Sequence, residues 1–282
     1  MFTLIVENKY GKKLELTNNP AYAISSLDGF DPPDATINVT KNAGADGSVY
    51  NSAFANDRQI TITMAINAPA EDNRLALYEY FAPKAPVILY YDIEPRRLFA
   101  KGYVSSMQIN YFDKKEVVQI VVNCPDSWLK SYNSTVQDFY NVEPLFEFPF
   151  DIEEEGIPFS ELLLNAERSI MNYGDVPTGA LITIHSTGAV STPGVYNVDT
   201  GEYYILDMEF ENGDTITINT RRGEKSVRLN RDGVTSVIIG YLRHGSTWFQ
   251  FEPGDNIFTV AAVAGAEYMT VTFEIIDNYA GV

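Results

Sequence analysis

Alternation of apolar and polar residues along the chain predicts a protein built mainly from β-strands. Apolar residues occupy every second position at 60–66 and at 269–275, the pattern of strands that bury one face. The alternating segments 216–218 and 227–229 are expected to pair as a hairpin across the turn between them. Further strands are predicted at 2–7, 86–92, 98–109, 116–123, 180–185, 203–210 and 236–242.

One segment, 71–81, has the pattern of a helix. Leu75, Tyr78 and Phe81 fall near helical spacing, and Pro83 is expected to end the helix.

A change in the sequence pattern divides the chain into two predicted domains, residues 1–135 and 136–282. Between about 130 and 145 the alternation lapses and prolines gather, at Pro125, Pro144, Pro149 and Pro158. The second half has many short strands separated by turn signals, which predicts a β-sandwich or jelly roll.

Charge follows the same division. Residues 1–132 carry 13 Lys and Arg against 15 Asp and Glu, whereas residues 133–282 carry 7 against 23, out of a total of −18. Copies of the first half can therefore pack against one another, whereas copies of the acidic second half repel one another. Neither half has the clustered cations that tight nucleic-acid binding needs.

Three further sequence features bear on the location of the protein. The N-terminal apolar run is only five residues long and its charges follow it, so it is interpreted as a strand and not as a signal peptide. No stretch approaches the roughly 18 apolar residues of a membrane span. A single cysteine, Cys124, excludes an internal disulfide and fits a reducing cytosol.

The loop at 41–57 contains Gly44 and Gly47 and leads into a strand. A phosphate-binding loop would lead into a helix and carry Gly-Lys-Ser/Thr, so nucleotide binding is not favoured. The loop also carries large apolar side chains whose exposure to water is unfavourable, at Val49, Tyr50 and Phe54. We therefore predict that this loop contacts a neighbouring copy of the chain.

The ordered short motifs of the chain resemble those of the distal tail (Dit) proteins of long-tailed phages. In the first half they are Leu27-Asp28-Gly29-Phe30 with Pro32-Pro33, the Asp46-Gly47 loop, Arg58-Gln59-Ile60-Thr61, the short helix, Tyr103-Val104 and Val118–Val121 ending in Cys124-Pro125-Asp126. In the second half they are 172–178, 200–202, 213–216, 222–225 and 251–256. The acidic run 151–155 and the polar loop 186–193 have no counterpart in the family pattern.

The resemblance implies a fold and a role. It implies an N-terminal β-barrel domain, with one short helix, that closes a hexameric ring, and a C-terminal galectin-like or carbohydrate-module-like sandwich that points outward. Such a ring is the structural hub that joins the tail tube protein to tip proteins and, in many phages, to receptor-binding proteins. The protein would then lie in the virion tail after assembly in the host cytoplasm.

Candidate catalytic and metal-binding residues have simpler explanations. His185 and His244 are the only histidines and have no partner ligands at metal-binding spacing. Cys124 is interpreted as a packed apolar side chain. Glu153–Glu155 are interpreted as a solvated connector, because the side chains of adjacent residues point in opposite directions and their carboxylates do not converge on one site. We expect no enzyme, no cofactor and no metal.

Two alternatives for the second half stay open. A carbohydrate-binding module acting in adsorption to the host surface would use exposed aromatic residues, and Tyr241 and Trp248 are the candidates. A basic island is either paired with local acidic residues or forms a docking site for an acidic partner. Its members are Arg221, Arg222, Lys225, Arg228 and Arg231.

Overall fold

The computed structural model describes residues 2–44, 46–111, 115–140, 142–144, 160–162 and 167–282. Within these ranges the chain consists mainly of antiparallel β-strands, with one α-helix. It divides into two compact units. Unit 1 contains Met1–Tyr132 together with Asn278–Val282, and unit 2 contains Asn133–Asp277.

Unit 1 is built on an antiparallel sheet in which seven strands follow the order β2-β1-β7-β8-β9-β6-β3. Its strands are β1 (Thr3–Asn8), β2 (Lys13–Glu15), β3 (Tyr22–Asp28), β4 (Ala35–Thr40), β5 (Val49–Ala55), β6 (Arg58–Ile66), β7 (Pro86–Ile93), β8 (Arg96–Asn110), β9 (Glu116–Cys124) and the start of β10 (Leu129–Tyr140). The start of β10 pairs with β8.

The sheet of unit 1 curves around a single core. Alternate residues of β6 are buried, as the period of two predicts. Leu4 of β1, Leu89 of β7 and Tyr22 of β3 belong to one hydrophobic cluster, although these strands lie toward opposite ends of the sheet order. A sheet whose two ends share one core has curled on itself, which gives the barrel-like form that the family resemblance implies.

Helix α1 (Ala70–Tyr78) covers this core, but it buries a different face from the predicted one. Leu77 and Phe81 are fully buried, whereas Leu75 and Tyr78 are 52% and 42% exposed. The prediction of the buried face was therefore wrong at Leu75 and Tyr78. The turn after the helix keeps the Phe81 amide bonded to the Leu77 carbonyl at 2.9 Å. Leu75 lies about 200° around the helix from Leu77, and therefore faces away from the core.

Arg58, the first residue of β6, is a buried cation that joins distant parts of unit 1. Its guanidinium donates to four backbone carbonyl oxygens, those of Gly29, Asp31, Ser127 and Ala280. Burial lowers the pKa of the Arg58 guanidinium below its usual value. The four acceptors keep this desolvated charge paired, and the bond to Ala280 attaches the C-terminal residues to unit 1.

Two other residues near Arg58 explain parts of the motif pattern. Gly29 has φ of +93°, and a Cβ at this position would lie 2.0 Å from the carbonyl oxygen of Gln59, so only glycine fits. Cys124 is buried, and burial raises the pKa of its thiol to about 11. The prediction that Cys124 is a packed apolar side chain is confirmed.

Unit 2 contains two main sheets. One sheet has the order β10-β22-β14-β18-β19-β20, and the other has the order β13-β21-β15-β16 with β17 on β15. The strands are β11 (Val142–Pro144), β12 (Ser160–Leu162), β13 (Arg168–Asn172), β14 (Ala180–Ser186), β15 (Val190–Asn197), β16 (Tyr203–Ile205), β17 (Glu209–Phe210), β18 (Thr215–Asn219), β19 (Ser226–Arg231), β20 (Val234–Val237), β21 (Gly254–Ala264) and β22 (Met269–Tyr279). Strands β11 and β12 pair only with each other within the described ranges.

The two sheets of unit 2 enclose one hydrophobic core, so the unit is a β-sandwich. Ile182 of β14 and Phe273 of β22 share a cluster with Val195 of β15 and Phe258 of β21. The rings of Phe258 and Phe273 lie 5.4 Å apart between centroids. The mainly β fold with a C-terminal sandwich is therefore confirmed.

The predicted hairpin of unit 2 is confirmed, but three neighbouring predictions need correction. Ile216 pairs with Leu229, and Ile218 pairs with Val227. The segment 203–210, predicted as one strand, forms two short strands. The strand predicted at 236–242 ends at Val237, because Ile238 enters the core and a 3-10 turn follows at Ile239–Tyr241. The predicted loop 186–193 is only a short turn between β14 and β15.

The acidic run with Glu153–Glu155 lies outside the described residues.

Candidate assembly surface

The hairpin formed by β4 and β5 is poorly packed within the described chain. Its two strands pair with each other and form a separate two-stranded sheet. None of its thirteen strand residues is buried: eleven are exposed, and Thr36 and Ala55 are half-buried. An isolated two-stranded hairpin is marginally stable in water, so this one needs a further surface to cover it.

One face of the hairpin is apolar. The register pairs Val39 with Tyr50 and Ile37 with Ala53, and paired residues share a face of the sheet. Ile37, Val39 and Tyr50 are 62%, 48% and 64% exposed. Together with Ala35, Ala53 and Ala55 they form a continuous apolar face, which we call the apolar hairpin face.

The opposite face is more polar. Thr36, Asn38 and Thr40 of β4 lie across from Phe54, Ser52 and Val49 of β5. The Asn38 amide donates to the Ser52 hydroxyl at 3.0 Å, and the Asn51 amide donates to the Thr40 hydroxyl at 2.7 Å. This face therefore satisfies part of its own hydrogen-bonding capacity within the hairpin.

The structure exposes all three residues that the sequence proposes for the ring contact, but it separates them. Val49, Tyr50 and Phe54 are 53%, 64% and 56% exposed. Tyr50 lies on the apolar hairpin face, and Val49 and Phe54 lie on the other face. Sequence reasoning missed Ile37 and Val39, whose alternation with polar residues was the available signal. A role of these residues in a ring stays a prediction.

The base of the hairpin is held firmly. Arg58 follows the hairpin in the sequence and donates to the carbonyls of Gly29 and Asp31, which precede it. The Ser127 hydroxyl donates to the Ala55 carbonyl at 3.3 Å. These bonds fix both ends of the hairpin to unit 1, so that its exposed faces are presented from a rigid base.

The two candidate sugar-binding residues of unit 2, Tyr241 and Trp248, differ in exposure and do not stack on each other. Tyr241 is 53% exposed. Trp248 is half-buried, and its ring meets the ring of the buried Tyr204 edge-on at 5.3 Å between centroids. In the parts of the chain that the structure describes, no ring contact joins Tyr241 to Trp248. Sugar binding at these residues stays a prediction.

The two histidines lie on separate elements of unit 2. His185 lies on β14, where its Nδ1 is 3.2 Å from the Thr215 hydroxyl. His244 lies in a turn, and its carbonyl accepts a bond from the Tyr203 hydroxyl. Among the described residues there is no group of His, Cys, Asp and Glu that could hold a metal ion.

No helix in the described ranges is both long and apolar enough to span a membrane.

The basic island splits into paired and unpaired cations. Arg221 is 3.2 Å from the Glu274 carboxylate. Arg231 bonds to the buried Asp214 carboxylate and to Glu211, and this hydrogen bond from Arg231 holds the pKa of Asp214 below its usual value. The remaining cations form no ion pair with a carboxylate of the described chain, and they are Arg222, Lys225 and Arg228.

Comparisons with known families and structures agree with this architecture. A family described as "Phage tail protein RIFT-related domain" matches residues 9–124. A second family, "Siphovirus-type tail component, C-terminal domain", matches residues 173–275. No curated protein sequence matches the chain at a significant level.

Solved structures share the fold over the full length of the chain. The crystal structure of the Dit protein (gp 19.1) of phage SPP1 has a TM-score of 0.70 at 14% identity, and the match covers 99% of each chain. That protein is described as a paradigm of the hub adsorption apparatus in phages that infect Gram-positive hosts. Chains of the phage P2 baseplate in its activated conformation match at 12% identity over 100% of each chain, with TM-scores of 0.55 with Ca and 0.53 with Sr.

The two matched domains lie in the order that the motif pattern predicts, and together they cover most of the chain. The chain therefore belongs to the siphovirus-type tail component family, the distal tail proteins of long-tailed phages.

Proposed function

We propose that this protein is the structural hub of a phage tail tip, and that copies of it close into a ring, six in number, through the β4–β5 hairpin. The ring would join the tail tube protein to the tip proteins and carry receptor-binding proteins at its periphery. Its role is structural and not catalytic, and it is assembled in the host cytoplasm into the virion tail.

The observation that carries the proposal is the apolar hairpin face. Three large apolar side chains, Ile37, Val39 and Tyr50, are about half or more exposed on a hairpin whose strands pair only with each other within the described ranges. Burying each of them at an interface would contribute roughly 1.5–3 kcal/mol. A head-to-tail contact of this kind closes a ring when the hairpin of each copy reaches a complementary surface on the next.

The charge distribution supports the same assembly. Residues 1–132 carry a net charge of only −2, so six copies of unit 1 can approach one another with little repulsion. Residues 133–282 carry −16, and copies of unit 2 would repel one another if they were packed closely.

The test compares one substitution on each face of the hairpin. Tyr50→Asp places a charge on the apolar hairpin face, and Phe54→Asp places the same charge on the opposite face at a side chain of similar exposure. Mass photometry and negative-stain imaging of the wild type are expected to give a six-fold ring with a central hole. Tyr50→Asp should give folded monomers, and Phe54→Asp should still give rings.

Two results would contradict the proposal. If Tyr50→Asp forms rings as efficiently as the wild type, the apolar hairpin face is not part of the ring contact. A wild type that stays monomeric at the highest protein concentration reached would contradict closure by this chain alone. Deletion of 44–54 is a further check, because it should leave a folded protein that forms no rings.

A further inference from the structure

Strand β20 of unit 2 is an exposed sheet edge that lacks the usual protection. It is the last strand in its sheet, and all four of its residues are exposed. From Gly233 to Tyr241 the chain contains no charged residue and no proline. Natural sheets normally protect their edges with charges, prolines, bulges or a covering segment, because a free edge pairs with other chains.

The other sheet of unit 2 shows what a covered edge looks like in this molecule. Its strand β16 receives backbone hydrogen bonds from the segment that follows the 3-10 turn: the Arg243 amide donates to Ile205 and the Thr247 amide donates to Tyr203. For the described residues of β20, strand pairing involves β19 alone. The outer backbone groups of Val234–Val237 are therefore available to a further strand.

Large apolar side chains lie along this free edge. Val234 and Val237 of β20 are 69% and 71% exposed, and Ile239 and Tyr241, which follow it, are 48% and 53% exposed. Four large apolar residues within eight positions form a surface that solvent does not favour.

Arg228 lies next to this edge, in a unit that is otherwise acidic, and Arg222 and Lys225 lie in the segment before β19. Five of the seven Lys and Arg residues in 133–282 lie between 221 and 231. Arg228 of β19 lies directly across from Val237 of β20. Arg228, Arg222 and Lys225 are exposed and have no carboxylate partner within the described chain, and Lys225 lies over the Trp248 ring.

We propose that β20 is a docking edge to which a partner protein adds an extended acidic segment as a further strand. The backbone of the partner would pair with Val234–Val237. Its apolar side chains would cover Val234 on one face, and its acidic side chains would lie beside Val237 on the face that carries Arg228. A strand added here lies about 10 Å from β19, two strand spacings of about 4.8 Å. A glutamate on it can meet Arg228 across β20, because both side chains are long.

The occupant is a segment of another protein and not a second copy of this chain. Self-pairing of two β20 edges would bring two sets of unpaired cations together and place two strongly acidic units side by side, and both arrangements are repulsive. The inference rests on the proposed function only in taking the partner to be another tail component. The binding itself does not require the ring.

The test uses a labelled ten-residue peptide in which valine and threonine alternate with glutamate, and a matched peptide with lysine in place of glutamate. Fluorescence anisotropy should show binding of the glutamate peptide at 0.1 M salt and at least ten-fold weaker binding of the lysine peptide. Raising the salt to 1 M shortens the Debye length from about 10 Å to about 3 Å and should weaken binding of the glutamate peptide.

Substitutions locate the site. Arg228→Glu and Val237→Asp should each weaken binding of the glutamate peptide at least ten-fold. The matched controls are Arg168→Glu, which changes the net charge equally on the other sheet, and Val263→Asp, at a valine that is 76% exposed on β21. Both controls should bind within two-fold of the wild type. Thermal unfolding shows whether each variant is folded, and the two site variants test the proposal independently.

Equal affinity for the two peptides, or no effect of Arg228→Glu in a folded variant, would overturn the proposal. Dimers of the wild type that Val237→Asp abolishes would also overturn it, because a second copy would then be the occupant. Loss of rings in Tyr50→Asp with peptide binding intact would leave this inference standing, so the two proposals fail separately.

Discussion

The guanidinium Nη2 of Arg58 donates a hydrogen bond of 2.7 Å to the carbonyl oxygen of Ala280, a residue that follows it by 222 positions. The same guanidinium bonds to Gly29 and Asp31 at the base of the β4–β5 hairpin. One buried side chain therefore connects the end of the described chain to the base of the candidate assembly surface.

Arg58→Ala should lower the free energy of unfolding of unit 1 by about 3 kcal/mol or more, because buried carbonyl groups lose their donor at about 1–3 kcal/mol each. Arg58→Lys keeps the charge but cannot reach all four carbonyls, and an intermediate loss is expected. Urea denaturation of both variants measures the effect, with the exposed Lys41→Ala as control. An Arg58→Ala protein as stable as the control would refute this role.

Gly29→Ala should destabilise unit 1 by about 3 kcal/mol or more, because the new Cβ would lie 2.0 Å from the Gln59 carbonyl oxygen. Gly11→Ala is the matched control. Gly11 has φ of +77° but no atom within 4 Å of an added Cβ, so this substitution should cost only about 1 kcal/mol. Similar losses in the two variants, measured by thermal unfolding, would mean that φ alone and not the contact makes glycine necessary.

Asp277→Asn should stabilise unit 2 at pH 7. Asp277 is buried, and burial raises the pKa of its carboxyl, while its Oδ1 accepts a bond from the Tyr173 amide that asparagine can keep. A raised pKa in the folded state gives stability below the unfolded pKa of about 3.9, and this stability is lost as the pH rises through the folded pKa.

The advantage of Asp277→Asn over the wild type should therefore disappear below about pH 4. Calorimetry between pH 3 and pH 8 measures the difference in melting temperature, with Asp232→Asn at an exposed aspartate as control. A difference that is constant across this pH range would show that the carboxyl does not titrate as described.

Asp214→Asn should have the opposite pH dependence. The hydrogen bond from Arg231 is the main cause that holds the pKa of the buried Asp214 carboxyl below its usual value. This pair contributes stability above the unfolded pKa, and the contribution is lost as the pH falls through the folded pKa. Asp214→Asn should cost about 2 kcal/mol at pH 7, and the difference from the wild type should shrink in acid. A cost that grows in acid would contradict this assignment.

The sequence was sufficient for elements that obey a simple period. Residues 60–66 alternate strictly, and β6 buries every second residue as predicted. The hairpin at 216–229 pairs in the predicted register, because its short turn fixes which residues meet. Cys124 was predicted correctly because a lone cysteine in an apolar strand is usually packed.

Residues whose direction depends on irregular backbone were not predictable. Tyr50, Ser52 and Phe54 would share one face in a regular strand. The register shifts at Asn51, opposite the step from Asn38 to Val39, and this bulge moves Tyr50 to the face opposite Phe54. The buried face of α1 was missed for a related reason, because the core selects Leu77 and not Leu75. Neither choice is encoded by spacing alone.

The return of Asn278–Val282 to unit 1 has a consequence during translation. A ribosome adds about 5–20 residues per second, so Ala280 is synthesised roughly 7–30 s after Tyr132, where the main part of unit 1 ends. Until then the Arg58 guanidinium of the nascent chain lacks one of its four acceptors, the Ala280 carbonyl oxygen. The base of the β4–β5 hairpin is completed only when the whole sandwich has been synthesised, so a prematurely terminated product would lack the bond from Arg58 to Ala280 that holds this base to the C-terminal residues.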